Sequence, residues 1–198
     1  MFNTMKEIYA YRGMIFTLVH RELRGRYKGS ALGFFWTFLN PLLQLAVYTV
    51  VFSTIMRMGI SKYYLFLFVA LIPWIFFSSS VQAGASCILA QKDMVKKIYF
   101  PRQVLTIAHV TTCFVNMLFC LIIVLLVAGF SVGINPIALP YLVPTMIIEY
   151  ILALGLAFLT SSITVYFRDM EHILGIVLMA WQFLTPVLYS LDMVPSAL

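Results

Sequence analysis

Residues 104–130 read VLTIAHVTTCFVNMLFCLIIVLLVAGF, with no Asp, Glu, Lys or Arg among them. A bilayer core of about 30 Å takes roughly 20 consecutive apolar residues in a helix. Lipid offers the backbone no hydrogen-bond partner, so a segment of this kind crosses as a helix. Working outward, the same reading applies to 31–56 and 63–83 before it and to 141–165 and 172–190 after it. Across all five stretches the only carboxylate is Glu149. The expected fold is therefore an all-α integral membrane bundle of five transmembrane helices.

Composition agrees. The chain is 63% hydrophobic and 10% charged, with a mean hydropathy of +0.99. A soluble domain carries about 25% charge, and that class is excluded. Of 13 Lys and Arg, six fall in 1–30, four in 91–103 and one in 166–171, all on one side of the spans. Only Arg57 and Lys62 fall on the other. The positive-inside rule then puts the N-terminus in the cytoplasm and, after five spans, residue 198 outside. The net charge of +6 flanks membrane spans, where orientation and anionic headgroups account for it, so no nucleic-acid partner is expected. The first 30 residues have no charge-free apolar core, so no cleavable signal peptide is expected.

Two segments on the basic side are amphipathic. Over 5–28, Lys6, His20, Arg21, Arg24 and Lys28 gather on one helical arc, while Met5, Ile8, Ile15, Leu18 and Val19 gather opposite. Arg12, Glu22 and Arg26 intrude on the apolar arc. Such a helix lies in the membrane interface, as an anchor or as a lever to a cytoplasmic partner. Between the second and third spans, Met94, Val95, Ile98 and Tyr99 fall at helical spacing among Lys92, Lys96 and Lys97. A solvated loop does not need that stripe; it suits a short helix over 92–101, capped by Asp93 and ended at Phe100-Pro101, that docks on another protein.

Inside the spans, Glu149 is a functional candidate by default. It lies about 12 Å below the outer end of its span, and Asn116 about 18 Å up from the inner end of its own. In a core of about 30 Å those depths coincide, so either Asn116 is expected to donate to Glu149 or Glu149 is protonated, in a structural pair or in a substrate or proton path. His109 is too shallow to join them. Asn40-Pro41 and Pro73 sit inside spans, where a neighbour must satisfy the freed carbonyl. Ser78 to Ser86, rich in small residues, favours close helix packing. Cys87, Cys113 and Cys120, without CxxC spacing, read as small buried hydrophobes. No paired carboxylates, nucleophile elbow or phosphate-binding loop is visible, so catalytic, cofactor and metal residues are not expected.

Three stretches carry a family resemblance. They are Arg26-Tyr27-Lys28-Gly29-Ser30-Ala31-Leu32-Gly33-Phe34-Phe35-Trp36 with Asn40-Pro41-Leu42, Lys96-Lys97-Ile98-Tyr99-Phe100-Pro101-Arg102, and Arg168-Asp169 followed by Thr185-Pro186-Val187-Leu188-Tyr189. Together, in order and spacing, they resemble the permease subunit of ABC-2-type exporters of lipid-linked polysaccharides and teichoic acids. The resemblance implies one transmembrane domain over 1–198, with 1–29 as the interface helix, in a bacterial cytoplasmic membrane. It implies a permease homodimer with two cytoplasmic ATPase subunits that hold the ATP and Mg. Met94, Val95, Lys97, Ile98, Tyr99, Arg21 and Arg24 would contact the ATPase. Phe35, Trp36, Tyr48 and Trp74 would line a channel for the lipid-linked glycan, unless they form an interface belt. The family has six spans, so a sixth and an outer re-entrant segment are expected beyond residue 198. Thr106 stands where the family commonly has proline. Export of a drug, antibiotic or lipid, a non-transporting membrane scaffold, and a membrane-embedded glycan-transfer enzyme are the alternatives.

Overall fold

The computed structural model describes residues 2–25, 32–55, 62–133, 137 and 139–190. Residues 26–31 of the opening motif, residues 56–61 and the end 191–198 lie outside the described residues. The described residues form eight α-helices in chain order: α1 Phe2–Ala10, α2 Arg12–Gly25, α3 Trp36–Thr49, α4 Tyr63–Ala90, α5 Lys92–Lys97, α6 Gln103–Ser131, α7 Leu139–Tyr166 and α8 Met170–Leu184. Among the described residues there is no strand. A short 3₁₀ turn, Gly33–Phe35, leads into α3, and the wider helical turns of Val50–Ile55 prolong it.

The expected spans at 63–83, 104–130 and 141–165 appear as α4, α6 and α7, each longer than predicted. Among the described residues, four helices are long and apolar enough to cross a membrane: α3 with its extension, α4, α6 and α7. The first span begins at Trp36, inside the predicted start at 31. The fifth differs more. Its helix stops at Leu184, because Thr185 must turn extended (φ −92°, ψ 142°) before Pro186. Fifteen residues rise only about 22 Å, short of the bilayer core. The chain carries on in turns instead, burying Val187 and Leu188 against Tyr63 and Leu67. Tyr63 Oη donates to the Leu188 carbonyl at 2.7 Å.

Helix α4 is the axis, packed by α3, α6, α7 and α8. The small residues of its second half explain this. A Cβ on Gly84 would stand 2.9 Å from Ala157 Cβ, closer than real Cβ atoms approach, so only glycine lets α4 and α7 meet there. Ser80, Ala85 and Ala153 are fully buried along the same seam. Thr106, fully buried, lies between Cys87 Sγ of α4 (3.4 Å) and Ser161 Oγ of α7 (3.5 Å). Close helix packing is what Gly84, Ser80 and Ala85 build.

Prolines 41, 73 and 144 all sit inside helices. Pro41 has no N–H, which frees the carbonyl of Thr37 one turn earlier. Cys120 of α6 donates its Sγ–H to that oxygen at 3.5 Å.

Candidate functional site

At the basic end, α2 lies on α6 and reaches the end of α4. Leu18 is buried among Cys87, Phe100, Val104, Leu105 and Ala108, with Met14, Ile15 and Val19 half-buried around them. Glu22, which looked misplaced on the apolar arc, meets His109 of α6 at 3.3 Å. On its other side His109 Nε2 lies 3.6 Å from Cys113 Sγ. Arg21 Nη2 donates to Gln91 Oε1 at 2.8 Å. Arg12 lies over the Tyr9 ring at 4.5 Å and donates to the Tyr9 carbonyl. The predicted single helix over 5–28 is two helices, divided at Tyr11, and the described part ends at Gly25. The interface helix is a packed part of the bundle.

The segment expected to be a docking helix over 92–101 is helical only over Lys92–Lys97. Ile98 is extended (φ −130°, ψ 133°). Tyr99 stands outward, 89% exposed, while Phe100 is buried in the cluster with Leu18. Gln91, not Asp93, occupies the N-cap position, and Asp93 sits in the first turn. Met94 and Val95 face inward against the Leu18 cluster, which removes both from a docking surface. Ile98, 57% exposed, and Tyr99 remain, with Lys96, Lys97 and Arg24 exposed beside them. Two exposed apolar side chains among cations form the candidate docking face.

Further along the bundle, α3, α4 and α6 line a half-open cavity of about 440 Å³. Trp36, Thr37 and Asn40 line it from α3, Ile72, Phe76 and Ser79 from α4, and Asn116, Met117 and Cys120 from α6. Asn116 Oδ1 is shielded from solvent and has no hydrogen-bond partner among the described residues. An orphaned buried acceptor costs about 1–3 kcal/mol.

The expected Asn116–Glu149 pair is not formed. The depth was right and the direction wrong. Phe114 of α6 packs edge-on against Tyr150 of α7, ring centroids 5.0 Å apart, and Thr111 bonds Tyr150 Oη at 2.9 Å. Two residues beyond Phe114, about 200° further round the helix, Asn116 faces α3 and α4 instead. Glu149 is half-buried beside Tyr150 on α7.

The four aromatics expected to line a channel do not share one wall. Trp36 lines the cavity, while Phe35 is largely exposed. Tyr48 Oη accepts from Gln182 of α8 at 3.5 Å. Trp74 packs on Phe77, which meets Trp181 of α8. Tyr48 and Trp74 thus belong to the seam between α3, α4 and α8. The Glu22–His109 contact had a signal in sequence: two misfits, a carboxylate on an apolar arc and a histidine in an apolar span.

Residues 14–198 match the family described as ABC-2 type transporter. The chain is 43% identical over 193 residues to the O-antigen export system permease protein RfbA of Myxococcus xanthus, covering 97% of this chain and 74% of that protein. It is 32% identical over 185 residues to a protein of the same name from Klebsiella pneumoniae, covering 92% of this chain and 71% of that one.

Proposed function

The chain belongs to the ABC-2 type transporter family, and we propose that it passes a lipid-linked, O-antigen-type glycan outward through a bacterial cytoplasmic membrane. It is the permease subunit of an ABC exporter for polysaccharide, a multi-pass membrane protein that is a non-enzymatic component of the transporter. The carrying observation is identity to O-antigen permeases along nearly the whole chain. It favours polysaccharide over drug, antibiotic or lipid export, and over a scaffold or a glycan-transfer enzyme.

The proposed assembly is a permease homodimer with two cytoplasmic ABC ATPase subunits, which bind the ATP and Mg. This chain binds no cofactor of its own in that assembly. The N-terminus is cytoplasmic, as the basic end of the bundle suggests. Ile98 and Tyr99 insert into a groove of the ATPase, while Lys97, Arg21 and Arg24 meet acidic groups around it. Helix α2 touches both α6 and α4, through Glu22–His109 and Arg21–Gln91. A push from closing ATPase subunits on α5 or α2 therefore moves α4 and α6 together as one body.

The test is capture of the ATPase by the tagged permease from solubilised membranes. Ile98→Asp should abolish capture while leaving the permease in the membrane at its normal level. Capture equal to the parent chain would remove the docking assignment.

A further inference from the structure

We propose that the cavity between α3, α4 and α6 is a sugar-ring subsite, which takes one neutral, polyhydroxylated ring of the exported glycan within a single permease subunit. The source of that ring rests on the polysaccharide-exporter reading. The chemistry of the site rests on the cavity itself.

Its volume, about 440 Å³, falls in the range of small-molecule sites, roughly 300–1,000 Å³. Among the described residues no Lys, Arg, His, Asp or Glu lines it, so none of them would neutralise a phosphate or pyrophosphate there. A hydrocarbon chain fits no better, because it offers the amides and hydroxyls of the wall no hydrogen bond. Those groups come from all three helices: Thr37 and Asn40 of α3, Ser79 of α4 and Asn116 of α6. Cys120 already occupies the carbonyl that Pro41 frees. Asn116 adds an amide whose Oδ1 has no partner among the described residues. Trp36 adds an aromatic surface to the same wall. A pyranose ring is amphiphilic in the matching way, with C–H faces that lie on an indole and hydroxyls at its rim that bond amides and hydroxyls. Trp36, Asn40, Ser79 and Asn116 together recognise that ring.

Trp36 is also the reporter. The chain has three tryptophans, so Trp74→Phe with Trp181→Phe leaves Trp36 alone. The purified permease in nanodiscs is titrated with octyl β-D-glucopyranoside below its micelle-forming concentration. An ether with the same octyl tail and an oligo(ethylene glycol) head is the control. The expected result is a saturable change in Trp36 fluorescence with the glucoside only. Asn116→Leu and Asn40→Leu should each weaken it roughly tenfold, as loss of one hydrogen bond implies. Asn116→Ser keeps a hydroxyl, should retain part of the binding, and decides the matter if the leucine variant does not fold. An equal response to the ether would assign the cavity to hydrocarbon and overturn the proposal. So would no saturable response, or undiminished binding in every variant. Surface polymer on cells carrying the same chains scores the exporter reading separately. Normal export without glucoside binding removes the subsite alone, whereas glucoside binding without export removes the exporter reading and leaves the ring chemistry supported.

Discussion

Glu22 of α2 and His109 of α6 stand 3.3 Å apart across the joint between the interface helix and the membrane bundle. Neither is well solvated, the two side chains being 22% and 10% exposed. Removing one partner leaves the other part-buried and under-paired, at a cost of about 1–3 kcal/mol. Glu22→Ala and His109→Ala should therefore each lower thermal stability in nanodiscs. The double variant should lose less than the two losses added. Strictly additive losses, measured by thermal unfolding, would mean that the contact couples nothing.

Met94 and Ile98 should part company. Met94 packs on the Leu18 cluster and Ile98 faces outward. Met94→Asp should lower the folded yield, since a buried carboxylate without a partner destabilises the joint. Ile98→Asp should leave the yield alone and remove ATPase capture. Size-exclusion profiles read beside the capture assay would expose the opposite pattern.

At the seam of α4 and α7, Gly84→Ala puts a methyl 2.9 Å from Ala157 Cβ. Overpacking of this kind costs about 1–3 kcal/mol. Adding Ala157→Gly should return most of the loss. Failure of the second change to rescue the first, by thermal unfolding, would mean that the helices do not meet at these residues.

Glu149 and Asn116 face different neighbours, so their substitutions should not interact. Glu149→Leu and Asn116→Leu should give stability changes that add within about 0.5 kcal/mol. A larger interaction would restore the direct pair that depth alone suggested.

The spans, the charged end and the two amphipathic segments were legible because each rests on a periodicity or a run of composition. Direction around a helix was not. Asn116 and Glu149 share a depth, yet only the packing of Phe114 on Tyr150 fixes which flank of α6 faces α7. The stripe of Met94, Val95, Ile98 and Tyr99 was read as one docking face, but burial of Phe100 pulls the chain extended and divides the stripe in two. The fifth span was drawn to 190 on apolar content; Pro186 ends the helix, and the apolar residues after it are buried against Tyr63 and Leu67 instead of continuing as a turn of helix.

The central claim is that this chain is the membrane path for a polysaccharide driven by a separate ATPase. The most direct measurement is the side of the membrane on which the polymer lies. Cells lacking the chain should hold lipid-linked polymer inside, out of reach of an impermeant lectin or antibody. Returning the chain with its ATPase should bring the polymer to the surface, and returning it with an ATPase unable to hydrolyse ATP should not. Polymer reaching the surface at the normal rate without the chain, or with the inactive ATPase, would contradict the account.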